Sequence, residues 1–138
     1  MRQAQLQLTI NTSGRGFTEV TRKVREFLAE HRCETGLKTI FCRHTSASLL
    51  IQENADPSVR SDMEAYFERI APESLVYEHD AEGPDDMPAH IRTALTQTHV
   101  AVPIIKGELA LGTWQGIYLF EHRRAPHTRE LVLHLIGE

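Results

Sequence analysis

The sequence predicts an α+β fold: one domain with mixed or antiparallel β-sheets, two or three helices and a β-rich C-terminal half. Three observations carry this reading. Strand-like alternation opens the chain, apolar residues recur at helical spacing in separate stretches, and β-type runs dominate from His99 onward with no glycine-rich nucleotide loop after any strand. At 138 residues, 41% hydrophobic and 25% charged, the chain has the length of one folding unit, taken as residues 1–138, and enough apolar content for its own core.

The elements follow in order. Gln3, Gln5 and Gln7 alternate with Ala4, Leu6, Leu8 and Ile10, the period of a strand with one buried face. After Gly14 and Gly16, the residues Phe17, Val20, Val24, Phe27 and Leu28 fall on one helical stripe, which predicts a surface helix. Cys33–Gly36 reads as the turn out of it, Leu37–Cys42 as a strand, and Leu49–Ile51 as strand again. Asp56-Pro57 starts a second helix, because the carboxylate can cap free amides and proline in the first turn has no donor to lose. Leu75–Glu78 is expected to be a short strand, 80–86 an acidic loop, and a third helix to begin near Asp86–Pro88. The remaining text, HVAVPII, ELAL, TWQGIYLFEH and RELVLHLI, reads as a closing run of hairpins with turns at Lys106-Gly107 and Ala125-Pro126.

Composition excludes several classes. The formal net charge is −4 with the signs interspersed, so the concentrated basic field that holds a phosphate backbone is missing and nucleic acid is not expected as a partner. No stretch approaches the roughly 20 apolar residues of a bilayer span, and the first twenty residues lack the apolar run of a signal peptide. Cys33 and Cys42 fit no CxxC or Cys/His ligand pattern. A cytoplasmic protein without membrane contact is therefore expected.

The eight histidines point to chemistry. His44 and His79 sit where predicted strands end and His90 in the first turn of a predicted helix, where the positive end of the helix dipole favours the neutral ring that ligates metals. Converging, the three would hold a divalent metal with a coordination position left open. Arg43, Thr45 and Ser46 supply the donors that hold phosphate. Asp80, Glu82, Asp85 and Asp86 supply hard oxygens suited to Mg²⁺, so the residues leave zinc and magnesium both open. Trp114, between glycines and beside Gln115, offers a flat face for a heteroaromatic ring, and Glu121 near the last hairpin offers a base.

The strings His44-Thr45-Ser46-Ala47-Ser48-Leu49, Glu53-Asn54-Ala55-Asp56-Pro57-Ser58-Val59-Arg60, YEHDAEGPDDMPAHI (77–91) and GTWQGIYLFEHR (112–123) together resemble the YjbQ-type secondary thiamine-phosphate synthase family over nearly the whole chain. The resemblance implies a cytoplasmic homotrimer with weak thiamine-phosphate synthase activity, joining hydroxymethylpyrimidine diphosphate to thiazole phosphate with release of pyrophosphate. It selects His44, Thr45, Ser46, Asn54, Asp56, His79, Asp80, Glu82, Gly83, His90, Gly112, Thr113, Trp114, Gln115 and Glu121. In one place the chain departs from it, reading Arg124-Ala125-Pro126-His127 where many members read Asp-Gly-Pro-Arg. The expected roles are then catalytic for His44, Asp80, Glu82 and Glu121, and metal-ligating for His44, His79 and His90. Arg43, Thr45, Ser46, Asn54, Thr113, Trp114 and Gln115 are expected to bind a small phosphorylated substrate. The alternative expectation is a non-catalytic oligomer that binds a metal or metabolite.

Overall fold

A computed structural model describes all 138 residues. The strands are β1 (Arg2–Asn11), β2 (Gly16–Glu19), β3 (Thr35–Cys42), β4 (Ala47–Glu53), β5 (His99–Ile105), β6 (Glu108–Leu109), β7 (Gln115–Glu121) and β8 (Thr128–Gly137). The helices are α1 (Thr21–His31), α2 (Pro57–Ile70) and α3 (Asp86–Leu95). Two sheets form, one of five strands in the order β1-β8-β3-β5-β6 and one of three in the order β2-β7-β4, and every pairing is antiparallel. The inner faces of both sheets and the apolar stripe of α1 share one core, with Val24, Ile40, Leu49, Ile117, Leu119, Leu131 and Leu133 fully enclosed.

Local chemistry explains most elements. Along β8, Leu131, Leu133 and Leu135 point inward while Glu130, Val132, His134 and Ile136 stay partly exposed, the alternation of a half-covered sheet. Asp56 caps α2 as its residues dictate, its carboxylate accepting from the Ser58 amide at 2.9 Å, and Pro57 follows. Three expectations are corrected. Gly16–Glu19 is a strand rather than the start of α1, because Gly14 and Gly16 take positive φ and Phe17 stacks on Phe120 of β7 with ring centroids 4.0 Å apart. Leu75–Glu78 is loop, since these residues find no strand partner. Of the expected closing hairpins, β5–β6 forms with its turn at Lys106-Gly107, but the rest do not: β7 lies between β2 and β4, and β8 between β1 and β3.

Two surfaces lack cover. Of the fourteen residues in α2 only Phe67 is buried, and Val59, Met63 and Tyr66 face an open apolar groove. On the outer face of the larger sheet, Leu37, Phe41 and Ile105 are exposed. Lys38 is the reverse case. It points into the core from β3 with no hydrogen-bond partner, its Nζ 3.2 Å from the Phe27 ring centroid.

Candidate metal centre

Helix α3 begins with Asp86, whose side chain is 2% exposed, and His90 follows one turn later on the same face. The loop 71–85 runs back across this face and brings His79 to it. Asp86 Oδ2 lies 2.6 Å from His79 Nε2 and 3.1 Å from His90 Nε2, and the three ligand atoms lie within 4.8 Å of one another. Arg123, just past β7, fixes the arrangement. Its Nη1 donates to Asp86 Oδ1 at 2.8 Å, its Nε to Asp85 Oδ2 at 3.0 Å, and its Nη2 to the Glu82 carbonyl at 3.0 Å. One guanidinium thus ties the acidic loop to the sheet and leaves Asp86 Oδ2 turned toward the histidines.

The Thr45 hydrogen bond orients His90. Its Nδ1 is 2.7 Å from the Thr45 carbonyl, which only accepts, so Nδ1 carries a proton. A neutral ring then turns its Nε2 lone pair toward Asp86 Oδ2, 3.1 Å away, the orientation in which both atoms could ligate one cation, whereas an imidazolium would donate to the carboxylate directly. Burial acts to raise the Asp86 pKa, but the His79 hydrogen bond and the Arg123 charge are among the contacts that outweigh it, and the carboxyl stays below its ordinary value. The donor set fits a metal. Two imidazole nitrogens and one carboxylate oxygen, with a carbonyl behind one ring and a guanidinium behind the carboxylate, are donors that would suit a divalent ion. Ligand atoms on a tetrahedral zinc stand about 3.3 Å apart. The His90 to Asp86 spacing of 3.1 Å is close to that, and the 2.6 Å His79 contact opens by several tenths of an ångström to match.

His44 has another place. Its Nε2 accepts the Glu130 amide at 2.8 Å, so its free lone pair is spent on β8. Burial and the Arg129 charge hold its pKa down, against pulls from Glu130 and Glu121. The structure therefore joins two of the three expected imidazoles and sets the Asp86 carboxylate beside them. The signal for Asp86 was present in the sequence, as an acid and a histidine four residues apart on a predicted helix. His44 instead lines an open depression of about 580 Å³ together with Arg43, Thr45, Ser46 and Thr98. Thr45 is shared by both features, its carbonyl holding His90.

The other expected site residues divide sharply. Asp80 and Glu82 are exposed on the His79 loop, with Glu82 Oε2 3.9 Å from His79 Nε2. Arg43 pairs with Glu130 on the surface, and Ser46 Oγ accepts from Arg129. Glu121, expected as a catalytic base, is 1% exposed and accepts five hydrogen bonds: from Thr12, from the His122 and Arg123 amides, and from Arg129 Nε and Nη2, at 2.5–3.2 Å. That is a structural ion pair with no lone pair free for substrate. Asn54, Thr113, Trp114 and Gln115 lie at the far end of the smaller sheet, where Glu53 pairs with Gln115, whereas the His79–Asp86–His90 cluster adjoins the end where Ala47 pairs with Glu121. Six strand steps separate these ends, about 20 Å. Gln115 there closes its own turn, its Oε1 accepting the Gly112 amide at 2.7 Å, and Trp114 is 63% exposed.

A family model described as UPF0047 protein YjbQ-like matches residues 6–138. The chain belongs to the YjbQ-like UPF0047 family. Within it, the chain is 50% identical to UPF0047 protein sll1880 of Synechocystis, covering 99% of this chain and 94% of that one. It is 45% identical to YjbQ of Escherichia coli O157:H7, covering 97% and 98%. Solved structures agree with the fold: a YjbQ/UPF0047 protein from Clostridium acetobutylicum superposes with a TM-score of 0.88 at 33% identity over 95% of this chain and 99% of that one. A hypothetical protein from Aeropyrum pernix reaches 0.90 at 26% identity over 98% and 99%. No helix is long and apolar enough to cross a membrane.

Proposed function

We propose that the chain is a divalent-metal-dependent enzyme acting on a small phosphorylated substrate, with the metal held by His79, Asp86 and His90. The observation that carries this is His90 pinned through Nδ1 to Thr45, so that Nε2 faces the Asp86 carboxylate across 3.1 Å. Bound there, a divalent ion supplies Lewis acidity to phosphate oxygens. Thr45 and Arg43, on the rim of the adjoining depression, supply donors to a diphosphate, and Glu82 and Asp80 border the same loop as proton carriers. The reaction in this reading is the one the sequence resemblance implies: transfer of hydroxymethylpyrimidine from its diphosphate to thiazole phosphate, in which charge building on the departing pyrophosphate is the main catalytic demand. The buried thiols of Cys33 and Cys42 suit a reducing cytoplasm.

The separation of Trp114 from the metal cluster supports assembly. A head-to-tail ring brings the Trp114 end of one protomer against the cluster of the next, and a homotrimer is the smallest such closed ring beyond a dimer. The uncovered apolar surfaces of α2 and of the larger sheet suit such a contact. Single-turnover assays with both thiamine precursors, at saturating Mg²⁺ or Zn²⁺, test the activity. Product from the wild type and at least tenfold less from Asp86→Asn is expected. Metal binding without product from any form removes the enzyme and leaves a non-catalytic metal-binding oligomer.

A further inference from the structure

Strand β1 is the outermost strand of the larger sheet, hydrogen-bonded to β8 on one side and to no strand on the other. Its ladder runs without a bulge from Arg2 opposite Gly137 to Asn11 opposite Thr128. The backbone bonds fix which residues face outward. The Thr12 amide donates to the His127 carbonyl at 2.8 Å in the same register, and antiparallel bonds alternate along a strand, so Arg2, Ala4, Leu6, Leu8 and Ile10 bond to β8. The Arg43 amide, donating to the Glu130 carbonyl, agrees: it gives Glu130, Val132, His134 and Ile136 to β3 and leaves their neighbours for β1. Gln3, Gln5, Gln7, Thr9 and Asn11 therefore turn their amides and carbonyls to the open side. Long edges are normally blunted by charge, proline or a bulge, and β1 has none of these beyond Arg2 at its start. The other edges are short or covered: β6 has two residues, β2 has four, and the Leu49 amide of β4 donates to the Gln97 carbonyl at 2.7 Å.

We infer that β1 pairs antiparallel with β1 of a second copy of this chain, about a two-fold axis at Leu6, so that two five-stranded sheets become one continuous sheet. In this register Gln5 lies opposite Gln7 and Gln3 opposite Thr9, the residues whose backbone groups point outward, and each such pair closes two backbone hydrogen bonds. Each face then meets its own kind. Leu6, 40% exposed, is covered by its counterpart and Ala4 by Leu8, while the glutamine amides of the outer face meet across the join. Gln3 to Asn11 carry no charge, so two copies approach without repulsion, and Arg2 falls opposite Ile10 rather than a second Arg2. The contact is isologous, unlike the head-to-tail ring, and uses none of His79, Asp86 and His90, so it stands apart from the proposed enzyme.

Light scattering on the full chain as it elutes from a sizing column tests it, with circular dichroism confirming that each variant is folded. An even number of chains is expected in the wild type. Gln5→Pro removes an outward amide that β8 does not use, and Gln5→Lys with Gln7→Lys sets like charges opposite one another, so each is expected to halve the mass. Gln5→Glu with Gln7→Lys sets opposite charges across the join and is expected to keep it. If Gln5→Pro fails to fold, the two charged variants decide. An odd number of chains in the wild type, the wild-type mass in folded Gln5→Pro or in the double-lysine variant, or the same halving by both charged variants would each overturn it.

Discussion

Replacing Glu121 with Gln separates a structural carboxylate from a catalytic one. The side chain is 1% exposed and faces Arg129, itself 4% exposed, through two charged hydrogen bonds of 2.8 and 2.5 Å. Gln keeps the shape but strips the negative charge, which leaves the Arg129 guanidinium buried and uncompensated and obliges an amide NH₂ to face the donors that Glu121 accepted. Breaking a buried pair in this way costs about 3–5 kcal/mol, a large share of the roughly 5–15 kcal/mol that holds a domain of this size together. At about 3 °C per kcal/mol this lowers the thermal midpoint by about 10–15 °C. The loss has a pH signature. Burial raises the Glu121 pKa, yet the Arg129, Thr12 and Arg123 hydrogen bonds prevail and hold it below 4.5. A lowered folded pKa contributes stability above the unfolded value that disappears as pH falls through the folded one. Wild-type stability should therefore fall below pH 4.5 more steeply than that of Glu121→Gln. Urea denaturation from pH 3 to 7 measures both effects. A variant as stable as the wild type, or one that loses only turnover, would refute the structural assignment.

Three further outcomes are expected. Lys38→Met should stabilise the fold at pH 7: burial lowers the lysine pKa from 10.5 to about 8, so the charged form is disfavoured on the order of 1–3 kcal/mol until pH passes through 8 to 10.5, and parallel urea melts of both proteins at pH 7 and 10 measure it. His122, in contact with Ser48 at 2.8 Å and with Nδ1 unpartnered, is held neutral by burial and then by the Arg92 charge, its pKa lowered from 6.5 to about 3. The unfolded chain takes up a proton below pH 6.5 and the folded chain does not, so stability present above 6.5 declines toward pH 3, by about 2–3 kcal/mol at pH 4.5, and His122→Phe should show a shallower decline in the same melts. Trp114→Ala should melt within about 0.5 kcal/mol of the wild type, because the ring is exposed. Mixing it with His90→Ala should restore turnover at about a quarter of the sites if each site spans two protomers, and restore none if it does not.

The residues announced much of this architecture because their signals were local. Asp56-Pro57, the glutamine and leucine alternation of β1, and the stripe of α1 from Val24 on each form what their periodicity demands. Phe17 misled because it continues the helical spacing of Val20 and Val24, while its pairing to β7 is set by residues a hundred positions away. The same distinction runs through the site. His79 and His90 were legible as chemistry-bearing histidines at element ends, and Asp86 as one of the acidic oxygens beside them, with its spacing to His90 the signal that joins the two sets. What spacing could not carry is the direction of a lone pair: His44 spends its own on the Glu130 amide, and Glu121 is saturated by an arginine on another strand. Trp114 carries a stacking surface by composition, but only strand register places it at the opposite end of the sheet.

The most direct test of the metal centre is stoichiometry by equilibrium dialysis against Zn²⁺ and Mn²⁺, followed by elemental analysis, on the wild type and on His79→Ala, Asp86→Asn, His90→Ala and His44→Ala. The arrangement of His79, Asp86 and His90 predicts one tightly held ion per chain in the wild type and in His44→Ala, with affinity lowered at least tenfold in the other three. Equal binding in all five proteins, or loss in His44→Ala alone, would contradict it.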